Sequence, residues 1–141
     1  MPLDNLTPTE LLENFDLLED WDQRFEYLIE LGAGLPPFAE RDMVETNKVR
    51  GCTSQVWFVP EIVTGNDGKN ILRFTATSDA AIVRGLIAVL MVFYNDIAVD
   101  RIADVDIHGA FDAMGLSQNL SPNRRNGFFS IAERIRTLGQ C

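Results

Sequence analysis

The chain has 141 residues, 46% of them hydrophobic and 23% charged, proportions that fit one compact domain over residues 1–141 and exclude disorder or a disulfide scaffold. It carries 21 acidic and 12 basic side chains, a net charge of −9, and a chain that repels phosphate overall does not bind nucleic acid through bulk electrostatics. Its longest apolar run, residues 80–94, contains Arg84 and is too short to span a bilayer core of roughly 30 Å, so it reads as a buried helix.

Thr7-Pro8-Thr9-Glu10 predicts a first helix, with a hydroxyl N-cap, proline at the first helical position and a glutamate that reaches back to the cap. Leu11, Leu12, Phe15 and Leu18 give its apolar stripe. Asp20 with Gln23 caps a second helix carrying Trp21, Phe25, Leu28 and Ile29, with Gly32 as its expected stop. Gly34-Leu35-Pro36-Pro37 then forbids helix, and a short helical turn is expected at residues 38–42.

The middle third changes period. Val49, the Cys52 region, residues 56–59 and Ile62-Val63 are rich in β-branched and aromatic residues, and a Gly65-Asn66-Asp67-Gly68 turn precedes residues 71–77. These predict an antiparallel meander of about three strands. Ser78 is expected to cap the next helix, with Asp79 in its first turn and Ile82, Val83, Leu86, Ile87, Leu90 and Met91 in the core. A short helix ends near Gly115, and a last one opens at Ser121-Pro122, carries Phe128, Ile131, Ile135 and Leu138, and closes at Gly139. The expected class is α+β, a small antiparallel sheet covered by helices.

Charge is unevenly spread: residues 1–45 hold 12 acids and two bases, whereas the remainder is nearly balanced. A solvated helix surface accounts for the acidic run, with a docking face for a basic partner as the other reading. The opening Met1-Pro2-Leu3-Asp4 has neither a basic nor an apolar leader region, so a cytoplasmic location with reduced thiols is expected.

Absences narrow the chemistry. His108 is the sole histidine, so multi-histidine zinc sites cannot be built from this chain alone. There is no phosphate-binding glycine loop with lysine and no nucleophile elbow. The aspartates between Asp96 and Asp112 lack the spacing of a calcium loop and read as helix caps. With Lys48 and Lys69 as the only lysines, no Schiff-base constellation for pyridoxal phosphate is present, and no cofactor is expected.

Cys52 stands apart. It follows Gly51 at a predicted loop between strand-like segments, with Lys48 and Arg50 just before it. Nearby positive charge favours the thiolate, the form that attacks sulfur electrophiles, and no neighbouring cysteine is placed to resolve the product into a disulfide. An inert buried cysteine is the competing reading.

The stretch Val49-Arg50-Gly51-Cys52-Thr53-Ser54-Gln55-Val56-Trp57 resembles the cysteine-loop signature of the SufE family, sulfur acceptors that work with cysteine desulfurases in iron–sulfur cluster assembly. Ser78-Asp79-Ala80-Ala81-Ile82-Val83-Arg84-Gly85-Leu86 resembles the family's central helix entry, and Leu120-Ser121-Pro122-Asn123-Arg124 with Gly127 the start of its last helix. The resemblance runs from about Pro8 to Leu138. It implies a three-stranded antiparallel sheet under helices, shared with NifU-type scaffolds, and a loop cysteine, Cys52, that takes sulfur as a persulfide from a pyridoxal-phosphate-dependent, SufS-like desulfurase. The sulfur then passes to a cluster scaffold. It further implies a desulfurase activator, monomeric or weakly dimeric, without nucleic-acid or membrane partners.

The supporting roles are weaker. Ser54 and Gln55 bond either the loop backbone or the sulfur, or are simply polar strand-edge residues. Trp57 is expected in the core. Asp79 matches a family position near the loop and is equally explained as a cap carboxylate, and Arg124 matches an arginine that faces the desulfurase although a cation in a first helical turn is mildly unfavourable. Arg125 and Cys141 have no counterpart in the matched motifs. The rival readings are a metal scaffold, for which one loop cysteine and one histidine are too few ligands, and a partner-independent thiol enzyme using Cys52 with His108.

Overall fold

A computed structural model of the chain describes residues 6–49 and 54–138. Helix α1 (Pro8–Leu17) starts as expected: the Thr7 hydroxyl oxygen accepts the Glu10 N–H at 3.1 Å and itself donates to the Glu10 carboxylate at 3.0 Å. Leu11 and Phe15 are buried. Helix α2 (Trp21–Ala33) is capped by Asp20, whose carboxylate accepts the Gln23 N–H at 2.9 Å, while the Gln23 side chain accepts the Glu19 N–H.

Gly32 does not end α2. It lies buried inside the helix, and Gly34 is the C-cap. The reason is packing: a Cβ at Gly32 would sit 2.7 Å from the backbone nitrogen of Gly85. The two glycines allow α2 to approach helix α3 (Ala81–Tyr94) backbone to backbone. A short 3-10 turn at Glu40–Asp42 lies within the expected helical stretch, and another follows at Glu45–Asn47.

The sheet has three antiparallel strands in the order β1 (Val56–Thr64), β2 (Asn70–Ser78), β3 (Ile97–Ala98). Residues 56–59 and 62–63, read separately from the sequence, form one continuous strand, and the third strand lies beyond α3 rather than before β1. Pro60 is tolerated within β1 for a geometric reason. Val56 accepts the Val49 N–H through its carbonyl at 2.9 Å, so its backbone groups point away from β2, and so, by alternation, do those of Pro60. The missing N–H of proline therefore falls on the open edge, where no ladder bond is lost.

Val56, Phe58, Leu72, Phe74, Ala76 and Ser78 form the buried face of the sheet. Helix α3 lies against it, flanked by α2 and α6 (Pro122–Leu138). All six apolar residues predicted for α3 are buried. Its start differs from expectation: Ser78 ends β2, and the N-cap is Ala80, which makes no side-chain cap bond. Helix α4 (Ile107–Ala113) is capped by Asp106, which accepts the Gly109 N–H at 3.0 Å, and Gly115 at φ +74° leads into α5 (Leu116–Asn119). Ser121 caps α6 through the Arg124 N–H at 3.3 Å. Leu138 is its last residue, and the expected stop at Gly139 lies outside the described residues. Among the described residues no helix is long and apolar enough to cross a membrane.

Candidate functional site

The stem of the cysteine loop is held on both sides. Lys48 pairs with Trp57 across an antiparallel bridge, next to the bond between the Val49 N–H and the Val56 carbonyl. On the outgoing side, the Gln55 N–H donates to Asp79 Oδ1 at 3.1 Å, and the Asp79 N–H donates back to the Gln55 carbonyl at 3.3 Å. The Ser78 hydroxyl also faces Asp79 Oδ1, at 3.4 Å, and accepts the Ala80 N–H at 3.2 Å. Arg84, one turn into α3, donates to the Ser78 carbonyl at 2.9 Å. Asp79 is thus a tie between the loop stem and the β2–α3 junction. The expectation that it sits in the first helical turn is corrected, because α3 begins two residues later and the carboxylate is turned back toward β1.

Beside this stem lies a cavity of about 400 Å³ lined by Ser54 from the stem, by Val83 and Leu86 from α3, and by α6 residues including Arg124, Gly127, Phe128 and Ile131. Ser121 and Asn123 complete its polar end. The walls are mixed: Val83, Leu86, Phe128 and Ile131 are apolar, whereas Ser54 and, at the start of α6, Ser121, Asn123 and Arg124 are polar. That combination suits a soft or amphipathic group with several polar contacts. Arg124 makes no ion pair among the described residues.

Of the residues expected to act, Ser54, Gln55, Asp79 and Arg124 come together around the stem and cavity. Gly51 and Cys52 lie outside the described residues, as does Cys141. Lys48, expected to favour a thiolate, shares its charge with Glu45 at 3.3 Å and lies 5.9 Å from the Trp57 ring centroid. Trp57 itself is on the sheet face opposite the helices, half-buried, with its indole N–H enclosed and without a hydrogen-bond partner among the described residues. The core position expected for it belongs to Val56 and Phe58.

His108 is exposed on α4 and stacks on Phe129, with ring centroids 4.4 Å apart and planes inclined by 10°. At about 100° per residue, Phe129 points roughly 150° around α6 from the cavity-lining stripe. His108 is not among the cavity residues. The contacts of two arginines escaped the sequence reading: those of Arg84, and those of Arg134, which donates to the Lys48 carbonyl at 3.2 Å. For Arg134 the available signal was its spacing of ten residues from Arg124, which puts both on one side of α6.

Residues 9–138 match the model of the SufE family, described as an Fe-S metabolism associated domain. A SufE-like protein of Rhizobium etli is 43% identical over 128 residues, covering 90% of this chain and 85% of its own. One from Rhizobium meliloti is 38% identical over 128 residues, covering 91% of each chain. In fold, the solution structure of a hypothetical protein from Thermus thermophilus is similar with a TM-score of 0.74 over 94% of this chain and 93% of that one, at 20% identity. The loop stem tied to the β2–α3 junction thus sits in a chain that belongs, over nearly its whole length, to the SufE family of Fe–S metabolism.

Proposed function

We propose that this protein is a sulfur acceptor and carrier, with Cys52 as the residue that receives and passes on the sulfur. The Cys52 thiol loses its proton, the thiolate attacks the outer sulfur of a persulfide on the active cysteine of a pyridoxal-phosphate-dependent desulfurase, and the sulfur–sulfur bond there breaks. The desulfurase cysteine leaves as thiolate, Cys52 becomes the persulfide, and a scaffold thiolate later repeats the exchange. No net oxidation occurs at either step. Removing persulfide from the desulfurase also stimulates its turnover. The reaction requires free thiols and therefore a reducing compartment, for which the cytoplasm is our assignment.

The observation that carries this reading is the frame around the loop: Ser54, two residues past Cys52, borders a cavity with both apolar and polar walls, and Gln55 is bonded to Asp79. A single nucleophile on a loop with fixed ends suits exchange with a partner better than a self-contained active site. The alternative, a thiol enzyme pairing Cys52 with His108, draws no support from His108, which is engaged with Phe129 away from the cavity.

The test is mass spectrometry after incubation with a desulfurase and cysteine, comparing wild type, Cys52→Ser and Cys141→Ser. A one-sulfur increment mapping to Cys52, lost in Cys52→Ser and kept in Cys141→Ser, is the expected result. Absence of any increment on folded protein with a free thiol rejects sulfur transfer.

A further inference from the structure

Near the C-terminal end of α3, a second groove of about 580 Å³ opens between α1 and α4. Val83 lines the cavity beside the loop stem and Phe93 lines the groove, so about 15 Å of α3 separates the two. Leu12, Phe93, Ile97 and Val105 form an apolar floor, each packed against the core and only partly buried. The rim is acidic. Pro8 and Leu12 line the groove from α1, and Asp16, exposed one turn further on, continues their side of that helix. On the opposite side the lining includes Asp106 and the exposed Ala113. Helix α1 carries Glu10, Glu13 and Asp16 and neither lysine nor arginine. Residues 97–113 carry Asp100, Asp104, Asp106 and Asp112 against a single arginine, Arg101, which pairs with Asp104 at 3.8 Å.

We propose that this groove is a docking site for a basic amphipathic helix of a partner protein, distinct from the cavity beside the loop stem and independent of the sulfur-transfer reading. The floor takes apolar residues recurring at helical spacing along one face of the incoming helix, and the carboxylates around it receive lysine or arginine from the flanks of that face. The long walls of the groove are themselves helices, whose backbone groups are bonded within each helix. They offer little for strand addition, so the occupant that fits is one whose own backbone is already bonded. Part of the acidic excess of residues 1–45 thereby acquires a role, as the charged margin of an apolar seat on α1.

The probe is a fluorescein-labelled synthetic peptide of about 14 residues, roughly four helical turns, with leucines along one face and lysines elsewhere, titrated with the full chain and followed by fluorescence anisotropy. A scrambled peptide of the same composition, with leucines on all sides, isolates the attraction of charge alone. Ala113→Arg puts bulk and positive charge into the groove, Asp16→Lys reverses one charge at its rim, and Glu61→Lys makes the same reversal at an exposed position in β1, the strand at the far edge of the sheet from β3. The expected result is affinity about 10-fold lower in Ala113→Arg and about 3-fold lower in Asp16→Lys, unchanged in Glu61→Lys, and about 10-fold lower for the scrambled peptide, all with unchanged melting temperatures. Equal affinity for the two peptides, wild-type binding by folded Ala113→Arg, or no binding at all overturns the proposal. Self-association of the chain that Ala113→Arg abolishes, read by light scattering, assigns the groove to a second copy and overturns it as well. If Ala113→Arg fails to fold, Asp16→Lys against Glu61→Lys decides, equal affinities counting against the groove.

Discussion

Asp79 and Gln55, 24 residues apart, exchange two hydrogen bonds: the Gln55 N–H reaches the Asp79 carboxylate at 3.1 Å and the Asp79 N–H reaches the Gln55 carbonyl at 3.3 Å. Only the first depends on the side chain. Replacing Asp79 therefore loosens the outgoing stem of the cysteine loop without removing the backbone contact beside it.

Asp79→Ala is expected to cost about 1 kcal/mol of stability, the ordinary net value of one such bond, and to change the rate of sulfur loading on Cys52 several-fold. Asp79→Asn keeps a side-chain oxygen as acceptor and should recover most of both. Denaturant unfolding and persulfide mass spectrometry on the three proteins check this. Equal behaviour of the Ala and Asn variants would show that the carboxylate charge, and not the bond to Gln55, is what matters.

Arg124 lines the cavity and sits in the first turn of α6, where a cation is opposed by the helix dipole. Arg124→Ala should leave stability unchanged or raise it by about 0.5 kcal/mol, within the usual range for such charges. If Arg124 meets the desulfurase, the same change weakens the interaction, so the concentration of this protein giving half-maximal stimulation rises several-fold. Titrating the stimulation while recording the melting temperature separates the two effects. A stability loss with unaltered titration contradicts the assigned role.

Tyr94 is fully buried, and its hydroxyl has no hydrogen-bond partner among the described residues. Burial pushes its pKa from 10.0 up to about 12, an effect that the Arg136 charge only partly offsets. The unfolded chain then loses this proton first, so the neutral hydroxyl's contribution is complete below pH 10 and is lost as pH rises toward about 12. Stability should fall through that window by up to about 1.4 kcal/mol per pH unit from this group. Tyr94→Phe removes an unsatisfied polar atom, so it should be about 1 kcal/mol more stable at neutral pH and show a shallower alkaline decline. Urea unfolding at pH 8, 10 and 11 tests both.

The helices and the core of α3 were legible because capping and the 3.6-residue period are local: Thr7, Asp20, Asp106 and Ser121 each bond an N–H within three residues. What misled the reading was tertiary. Gly32 looks like a stop, yet it is the contact point of two helices, which no window of α2 reveals. Asp79 looks like a first-turn carboxylate, but its partner Gln55 lies 24 residues earlier, at the entry to β1. β3 has only two residues, too few for a period to register. For the site, the matched motifs brought Ser54, Gln55, Asp79 and Arg124 to notice, whereas Arg134 belongs to no motif and becomes visible only when Lys48 is placed beside α6.

Pro60 has a consequence for how molecules of this protein meet one another. The outer row of β1 offers backbone groups that a second copy would need for strand addition, and at its middle a donor is missing while a ring stands in the way. Encounters between copies along that edge therefore dissolve without forming a continued sheet.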